Sequence, residues 1–146
     1  MSLNQQEYAS DLAVRPDDID LFGHVHSAKY LDYFLAARFD QMERCYGFGM
    51  GEYLAQGLGW YLQDSQISYK RPLKMGDTIT IFTHIVSIER TGCIVAFRMI
   101  NKSSNKLSCE GNCKFALIEL NSQKAIPVPQ WIIDRHSKIE NLNLEP

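Results

Sequence analysis

Residues 29–46 read KYLDYFLAARFDQMERCY and form the clearest helix pattern in the chain. At about 100° per residue, one half of the helical wheel collects the large apolar side chains Tyr30, Leu31, Phe34, Leu35, Met42, Cys45 and Tyr46. Gly47 follows at once and is typical of a helix end. The other half mixes charges with Tyr33, Ala36 and Ala37, so we expect the helix to be covered on more than one side.

Four runs rich in β-branched and aromatic residues follow this helix and predict strands at 60–70, 78–89, 93–101 and 106–120. The connections between them are too short for parallel crossovers, so we expect an antiparallel meander. A further strand is predicted at 12–15 and a short helix at 130–138. Apolar and polar residues alternate in the last run, which predicts one apolar and one solvent-facing sheet surface. This order of elements indicates an α+β domain whose helix covers the apolar face of the sheet.

Composition narrows the class of protein. The 146 residues, 45% of them apolar, suit a single domain spanning 1–146. Fifteen basic and seventeen acidic side chains leave a net charge of −2, which argues against bulk nucleic-acid binding. The sequence contains no apolar run of membrane-spanning length, and its first ten residues lack a secretory-signal pattern. We therefore expect a cytoplasmic protein with its four cysteines reduced.

The segment at residues 15–30, RPDDIDLFGHVHSAKY, is the part of the sequence richest in reactive side chains. Three carboxylates, a glycine and two histidines run into the predicted helix, whose first backbone N–H groups lack intrahelical partners and favour negative charge. Such a helix end can stabilise an oxyanion. Asp20 lies seven residues before Ser27, so a carboxylate and a backbone N–H donor can address one carbonyl group from two sides.

The spacing of several residues in and after this segment forms a recognisable pattern: Asp20-x-x-Gly23-His24-Val25, then Tyr30, then Ala37-Arg38. A second motif lies after the helix, namely Tyr69-x-x-Pro72-x-x-x-Gly76-Asp77. In both respects the chain, from about residue 8 to residue 129, resembles the hot-dog-fold thioesterases of the 4-hydroxybenzoyl-CoA thioesterase and acyl-CoA thioester hydrolase family. It departs from that family at His26-Ser27, where two asparagines are common.

The resemblance implies a hot-dog fold, in which an antiparallel sheet wraps around one long central helix. It implies an acyl-CoA thioester hydrolase with Asp20 as nucleophile or as general base for water. The backbone N–H of Ser27 would polarise the thioester carbonyl, and His24 would orient the loop or the thioester. No metal or organic cofactor is then needed, since coenzyme A enters only as part of the substrate. A homodimer or a dimer of dimers, with each site at a subunit interface, is also implied.

Substrate contacts are implied at Gly23, Val25 and Tyr30. Cations near turns suit the phosphates of coenzyme A, and the candidates are Arg90 with Thr91 and Gly92, and Lys70, Arg71 and Lys74. Each of these cations equally fits an ordinary solvated charge. Four aromatic residues fit either an acyl tunnel or core packing: Phe34, Phe39, Trp60 and Tyr61.

Arg38 and the two other aspartates of the loop lead to structural expectations. Arg38 falls within the apolar half of the helix, where a lone charge is costly, so we expect a shielded position with a carboxylate or an interface carbonyl as its partner. Asp17 and Asp18 fit solvent-facing or capping positions. The glycine-spaced stretch at 47–59 fits a plain turn or the wall of a substrate channel.

Other functions stay open on the sequence alone. The acyl group could be carried by an acyl carrier protein, or the domain could bind acyl thioesters or carrier proteins without catalysis. A hot-dog hydratase would need a different arrangement of Asp and His from the one in this segment. His24-x-His26 offers two metal ligands, but no third ligand stands in a recognised register.

Overall fold

The computed structural model describes residues 3–137 and 144–146 of the chain. In chain order its elements are β1 (Tyr8–Ala13), α1 (Tyr30–Arg44), α2 (Met50–Ala55), β2 (Leu58–Tyr69), β3 (Thr78–Ile88), β4 (Gly92–Asn101), β5 (Lys106–Glu119), β6 (Lys124–Ala125) and α3 (Gln130–Arg135). Single turns of 3-10 helix lie at Pro16–Asp18 and Ser27–Lys29, before α1. The predicted end of the last helix, at residue 138, lies outside the described residues.

The strands form one antiparallel sheet in the order β1-β3-β4-β5-β2, with β6 paired to β5. The predicted antiparallel pairing is confirmed, but the predicted meander is wrong for its first strand. β2 pairs with β5, from Leu58 opposite Glu119 to Tyr69 opposite Cys109, and not with β3. β4 pairs with β3 on one side and with β5 on the other. β2 therefore pairs with the remaining edge of β5, and β1 pairs with the remaining edge of β3. The chain therefore crosses the sheet between β2 and β3.

The helix α1 lies against the apolar face of this curled sheet. Phe34 is 0% exposed, and its ring lies 4.7 Å from that of Phe97 and 6.3 Å from that of Phe115. Tyr33 and Ala37, from the other half of the predicted wheel, are buried too. The helix is thus covered on more than one side, as the sequence predicts, because the sheet and the loop before α1 both pack on it.

Two elements differ from their predicted positions. The first strand begins earlier, at Tyr8, because Tyr8 and Ser10 alternate inward and pair with β3. The glycine-spaced stretch contains the helix α2, whose Tyr53 is fully buried, so it is more than a turn. The four cysteines are buried, and among the described residues they form no disulfide. Among the described residues, no helix is both long and apolar enough to cross a bilayer.

The close approach of β4 to β5 generates a stability prediction. A Cβ atom added to Gly92 would lie 1.9 Å from the carbonyl oxygen of Phe115, whereas one added to Gly51 in α2 meets nothing within 4 Å. We expect Gly92→Ala to lower the free energy of unfolding by at least about 2 kcal/mol through this clash. Gly51→Ala should instead raise it by about 0.5–1 kcal/mol, because alanine favours helix. Urea unfolding measures both, and equal stabilities would contradict this account.

Candidate active site

The loop before α1 is closed into a tight hairpin. The backbones of Ile19 and Val25 form an isolated antiparallel bridge. Inside it, the Asp20 N–H donates to the His24 carbonyl at 2.7 Å, and the Gly23 N–H donates to the Asp20 carbonyl at 3.1 Å. Gly23 has a φ of +81°, in the left-handed region that favours glycine. The glycine of the sequence motif therefore shapes the turn that holds Asp20.

The Asp20 side chain is fastened to its own loop. Its Oδ1 accepts the backbone N–H of Phe22 at 2.9 Å and that of His24 at 3.1 Å. The His24 N–H is the largest cause that holds the pKa of Asp20 below its usual range, and the Phe22 N–H adds to it. The side chain is therefore an ionised carboxylate at neutral pH. Since both hydrogen bonds use Oδ1, Oδ2 is the oxygen oriented by this arrangement for a substrate or a water molecule.

A backbone donor lies at the opposite side of the same loop. The turn Ser27–Lys29 leads into α1, and the Lys29 N–H donates to the His26 carbonyl at 2.9 Å. The Ser27 carbonyl accepts the hydroxyl of Tyr69 at 2.9 Å, which holds this turn against β2. Within residues 3–137 and 144–146, the Ser27 N–H has no acceptor, as expected for the first turn of a helix. It is free to donate to a ligand.

These groups meet in a shallow pocket of about 360 Å³. Its lining residues are Asp20, His24, Val25, Ser27, Tyr30, Tyr69, Lys70, Arg71 and Pro72. The structure thus brings together five of the predicted site residues, namely Asp20, His24, Val25, Ser27 and Tyr30, while Gly23 lies in the turn beside them. Tyr30 forms the buried back wall, where its hydroxyl accepts the Leu73 N–H at 3.2 Å. A carboxylate and an unpaired N–H donor consequently share one solvent-accessible pocket.

Two of the four cations considered for coenzyme A line this pocket, and a third is adjacent to it in the chain fold. Lys70 and Arg71 line it, and the backbone of Lys74 forms a bridge with that of His24. Arg71 also donates to the Leu107 carbonyl at 3.1 Å, which orients its guanidinium along the rim. The rim of the pocket is therefore positively charged, as a phosphate-bearing ligand requires.

Arg90, Thr91 and Gly92 lie elsewhere in the chain. They form the turn between β3 and β4, at the end of β3 opposite to the pocket, which is roughly 30 Å away along the strand. The carbonyls of Arg90 and Thr91 accept the N–H groups of Val128 and Leu117, each at 2.9 Å. Within one subunit these three residues do not reach the Asp20 pocket, and their role in substrate binding stays a prediction.

Asp18 corrects the expectation of a solvent-facing or capping residue. It is 2% exposed, and its Oδ2 accepts the hydroxyl of Tyr33 at 2.7 Å and the Nε–H of Arg15 at 2.9 Å. The Tyr33 hydrogen bond is the largest cause that lowers the pKa of Asp18, followed by Arg15. Its carbonyl accepts the His26 N–H at 2.9 Å. Asp18 therefore ties the loop to α1, a function that depends on a tyrosine fifteen residues later.

A second, more apolar space lies between α1 and the sheet. This α1 cavity has a volume of about 190 Å³ and is lined by Leu35, Arg38, Phe39, Met42, Met50, Trp60, Leu62, Ile85, Ile88, Cys93, Val95, Phe115 and His136. Of the four aromatic residues considered for an acyl tunnel, Phe39 and Trp60 line it, Phe34 belongs to the core, and Tyr61 is 64% exposed. Met50 comes from the glycine-spaced stretch at 47–59, which the sequence predicts to be a turn or a channel wall, whereas His136 comes from a segment whose sequence does not indicate a cavity.

Arg38 is shielded as predicted, with 7% of its surface exposed, but its partner differs. Its Nη1 donates to the hydroxyl of Thr83 at 3.1 Å, and in the described part of the chain it forms no ion pair with a carboxylate. The expected carboxylate or carbonyl partner is therefore absent from this subunit's described residues. The His24-x-His26 pair likewise belongs to no cluster of three or more potential metal ligands within those residues.

Comparison with known proteins agrees with this architecture. The family model of the thioesterase-like superfamily matches residues 14–135. Long-chain acyl-CoA thioesterase FadM of Escherichia coli K12 is 24% identical over 117 residues, covering 80% of this chain and 87% of FadM. Acyl-CoA thioester hydrolase YbgC of Escherichia coli O6:H1 is 24% identical over 117 residues, covering 80% of this chain and 86% of YbgC. The structure of DHNA-CoA thioesterase from Staphylococcus aureus superposes with a TM-score of 0.82 at 19% identity, covering 89% of this chain and 86% of that one.

The family match extends from the residue after β1 to the end of α3 and contains the whole Asp20 loop. The chain therefore belongs to the thioesterase-like superfamily. The sequence-based prediction of the hot-dog fold is confirmed by these structural neighbours, and that of a thioester hydrolase is confirmed at the level of the family.

The two loop aspartates give a test of how the site is held. Removing Asp18 leaves the buried Tyr33 hydroxyl and the Arg15 guanidinium without their shared acceptor, so we expect Asp18→Ala to cost about 1–3 kcal/mol of unfolding free energy. Asp17→Ala, at an exposed neighbouring position, should change it by less than about 0.5 kcal/mol. Guanidinium unfolding at neutral pH compares the two variants. Equal effects would mean that the Asp18 network does not hold the loop.

Proposed function

We propose that the protein hydrolyses acyl-CoA thioesters, with Asp20 as its catalytic carboxylate. The observation that carries this proposal is that an ionised carboxylate and the unpaired Ser27 N–H line the same pocket at the start of α1. A carboxylate supplies a nucleophile or a base, and an N–H donor at a helix N-terminus supplies stabilisation for the oxyanion that forms. These are the two groups that thioester hydrolysis requires.

The reaction follows from where these groups lie. With the thioester carbonyl oxygen at the Ser27 N–H, the carbonyl carbon becomes more electrophilic and the tetrahedral intermediate is stabilised. Asp20 either attacks that carbon, forming an anhydride that water then opens, or takes a proton from a water molecule that attacks it. The carbon–sulfur bond breaks in both routes, and the products are a free thiol and a carboxylic acid. Neither route needs a metal or an organic cofactor, so we keep the prediction that none is used.

Coenzyme A is the carrier we favour over an acyl carrier protein. The positive rim formed by Lys70 and Arg71 lies directly at the pocket, where the phosphates of a bound coenzyme A would need cations. The relatives FadM and YbgC are named for acyl-CoA substrates, which supports the same choice. We extend that substrate class to this chain and retain the cytoplasmic location predicted from the sequence.

A homodimer, or a dimer of dimers, is part of the proposal. β2 is a twelve-residue strand at the end of the sheet, and it pairs only along its β5 side within the described residues. Most of its side chains are exposed, although unpaired strand edges of this length are usually covered. A second copy of the chain can cover this edge by strand pairing. Each Asp20 pocket would then lie close to the partner subunit, because Tyr69 at the end of β2 also lines the pocket.

The decisive test is thiol release from acyl-CoA substrates of different chain length. We expect the wild-type protein to liberate coenzyme A from at least one of them, and Asp20→Asn to lower kcat by about 10²–10⁴-fold because it removes the base or nucleophile. A thiol-reactive dye follows the release. Full turnover by Asp20→Asn would refute the assignment, and saturable binding without turnover by the wild type would identify a non-catalytic binding module.

Ser27→Ala is the matched control for this experiment. It removes the hydroxyl but keeps the backbone N–H, so we expect kcat/KM to fall by less than about tenfold. A loss as large as that of Asp20→Asn would assign the chemistry to the Ser27 hydroxyl instead. Asp17→Asn changes an exposed carboxylate in the same loop and should leave the rate unchanged.

The pH dependence of kcat/KM follows from the lowered pKa of Asp20. A depressed pKa keeps the carboxylate ionised down to a pH below the usual value for aspartate, about 4. Activity that requires this carboxylate should thus stay constant as pH falls from neutral and decline only below about pH 4. Initial rates in buffers of constant ionic strength measure the profile. An acidic limb centred near neutral pH would show that another group is the essential base.

A further inference from the structure

The α1 cavity contains a buried cation without an anionic partner. Among the described residues that line it, Arg38 is the one charged side chain, and the other walls are almost entirely apolar. His136 also lines the cavity, but burial, together with the charges of Arg38 and Arg135, lowers its pKa to about 3, so it is a neutral imidazole. A lone guanidinium in apolar surroundings is costly unless an anion lies beside it.

The protein groups that contact Arg38 satisfy only part of its hydrogen-bonding capacity. Its Nη1 donates to Thr83, whose hydroxyl in turn donates to the side-chain carbonyl of Gln41. Gln41 donates to the Ile81 carbonyl and to Ser10, and Ser10 donates to the Asp40 carboxylate, so the groups in direct contact with the guanidinium are neutral. A guanidinium has five N–H donors, and a carboxylate is the acceptor that matches two of them at once.

Two further polar atoms lie near Arg38. The guanidinium carbon of Arg38 lies 5.6 Å from the centre of the Tyr46 ring, and that ring lies 5.1 Å from the ring of His136. The Tyr46 hydroxyl and the His136 Nδ1 are both buried, and among the described residues neither forms a hydrogen bond of normal geometry, although the Tyr46 hydroxyl interacts electrostatically with Arg38. Buried polar atoms of this kind are rare in folded proteins and commonly mark a missing ligand or water molecule. Arg38 and His136 therefore both line the apolar cavity, and the Tyr46 ring lies next to each of them.

We propose that the α1 cavity is a binding site for an aliphatic carboxylate, whose head group pairs with Arg38 and whose chain lies between α1 and the sheet. An apolar cavity of about 150 Å³ can hold benzene, so about 190 Å³ suits a chain of roughly six to eight carbons. The cavity and the Asp20 pocket have no lining residue in common, although both lie along α1. Arg38 also lies about 16 Å along the helix axis from Ser27.

The carboxylate could come from two sources. One is a free carboxylic acid, the class of product that thioester hydrolysis releases. The other is an acyl thioester with a second carboxylate at its far end; this source alone rests on the proposed function. Both present an apolar chain that ends in a carboxylate, so binding to Arg38 is common to them.

Titration calorimetry with octanoate and 1-octanol tests the site directly. We expect octanoate to bind the wild-type protein at least about tenfold more tightly than the uncharged alcohol of the same length. Arg38→Met should abolish this preference, while Arg98→Met, which removes an arginine on the other side of the sheet, should preserve it. Equal affinities of the two ligands, no binding of either, or octanoate binding unchanged in Arg38→Met would overturn the proposal.

Thermal unfolding verifies that each variant is folded, and Arg38→Lys provides a second variant that keeps the charge. It should retain part of the octanoate preference, because an ammonium group cannot form the two parallel hydrogen bonds of a guanidinium. If neither Arg38 variant folds, the comparison of octanoate with 1-octanol on the wild-type protein still tests the proposal, because it needs no substitution.

Hydrolysis assays distinguish the two sources. A kcat/KM at least about tenfold higher for the mono-CoA thioester of octanedioic acid than for octanoyl-CoA, lost in Arg38→Met, would identify the far end of the acyl group as the ligand. Octanoyl-CoA turnover at an equal or higher kcat/KM, together with calorimetric octanoate binding, would identify the free acid. Absence of turnover with both thioesters and with the acyl-CoA substrates of other chain lengths would overturn the proposed hydrolysis and leave the calorimetric result for Arg38 standing.

Discussion

The packing of α1 against the curled sheet is the contact on which the candidate site depends. Phe34 fills the space between the helix and the inner strands, and Tyr33 reaches the loop from the adjacent side of the helix. If the helix slid or rotated, these rings would be exposed to water. The loss of buried apolar surface makes such a movement unfavourable. The 3-10 turn that precedes the helix, with the unpaired Ser27 N–H, is consequently held beside the loop of Asp20.

The two aspartates of the loop show how different surroundings give similar carboxylates different functions. Asp18 is buried, and its hydrogen bonds come from the side chains of Tyr33 and Arg15, so its charge is used to position the loop. Asp20 is half-buried and accepts only backbone N–H groups of its own turn, on one oxygen. Both pKa values are lowered, but only the second carboxylate combines ionisation with access to a pocket.

The two cavities along α1 differ in the same physical sense. At its first turn, backbone N–H groups, a carboxylate and the cations Lys70 and Arg71 surround a shallow, solvent-accessible pocket. Farther along the helix, the walls are apolar and a single buried guanidinium, that of Arg38, sets the polarity. Water therefore weakens electrostatic interactions at the first site, whereas the low dielectric constant of the apolar walls strengthens them at the second. This difference is why a polar reaction fits the first site and a long apolar ligand fits the second.

Sequence alone determined the helix, most of the strands, and a motif that places a carboxylate before a helix N-terminus, because periodicity and capping are local properties of the chain. Tertiary structure decided which strand pairs with β5, that Asp18 is buried, and that Arg90 lies far from Asp20. It also created the cavity at Arg38, whose walls come from segments as distant as α2 and α3. These features arise from contacts between residues far apart in sequence, such as Asp18 with Tyr33, and no local pattern records which distant residue will supply a partner.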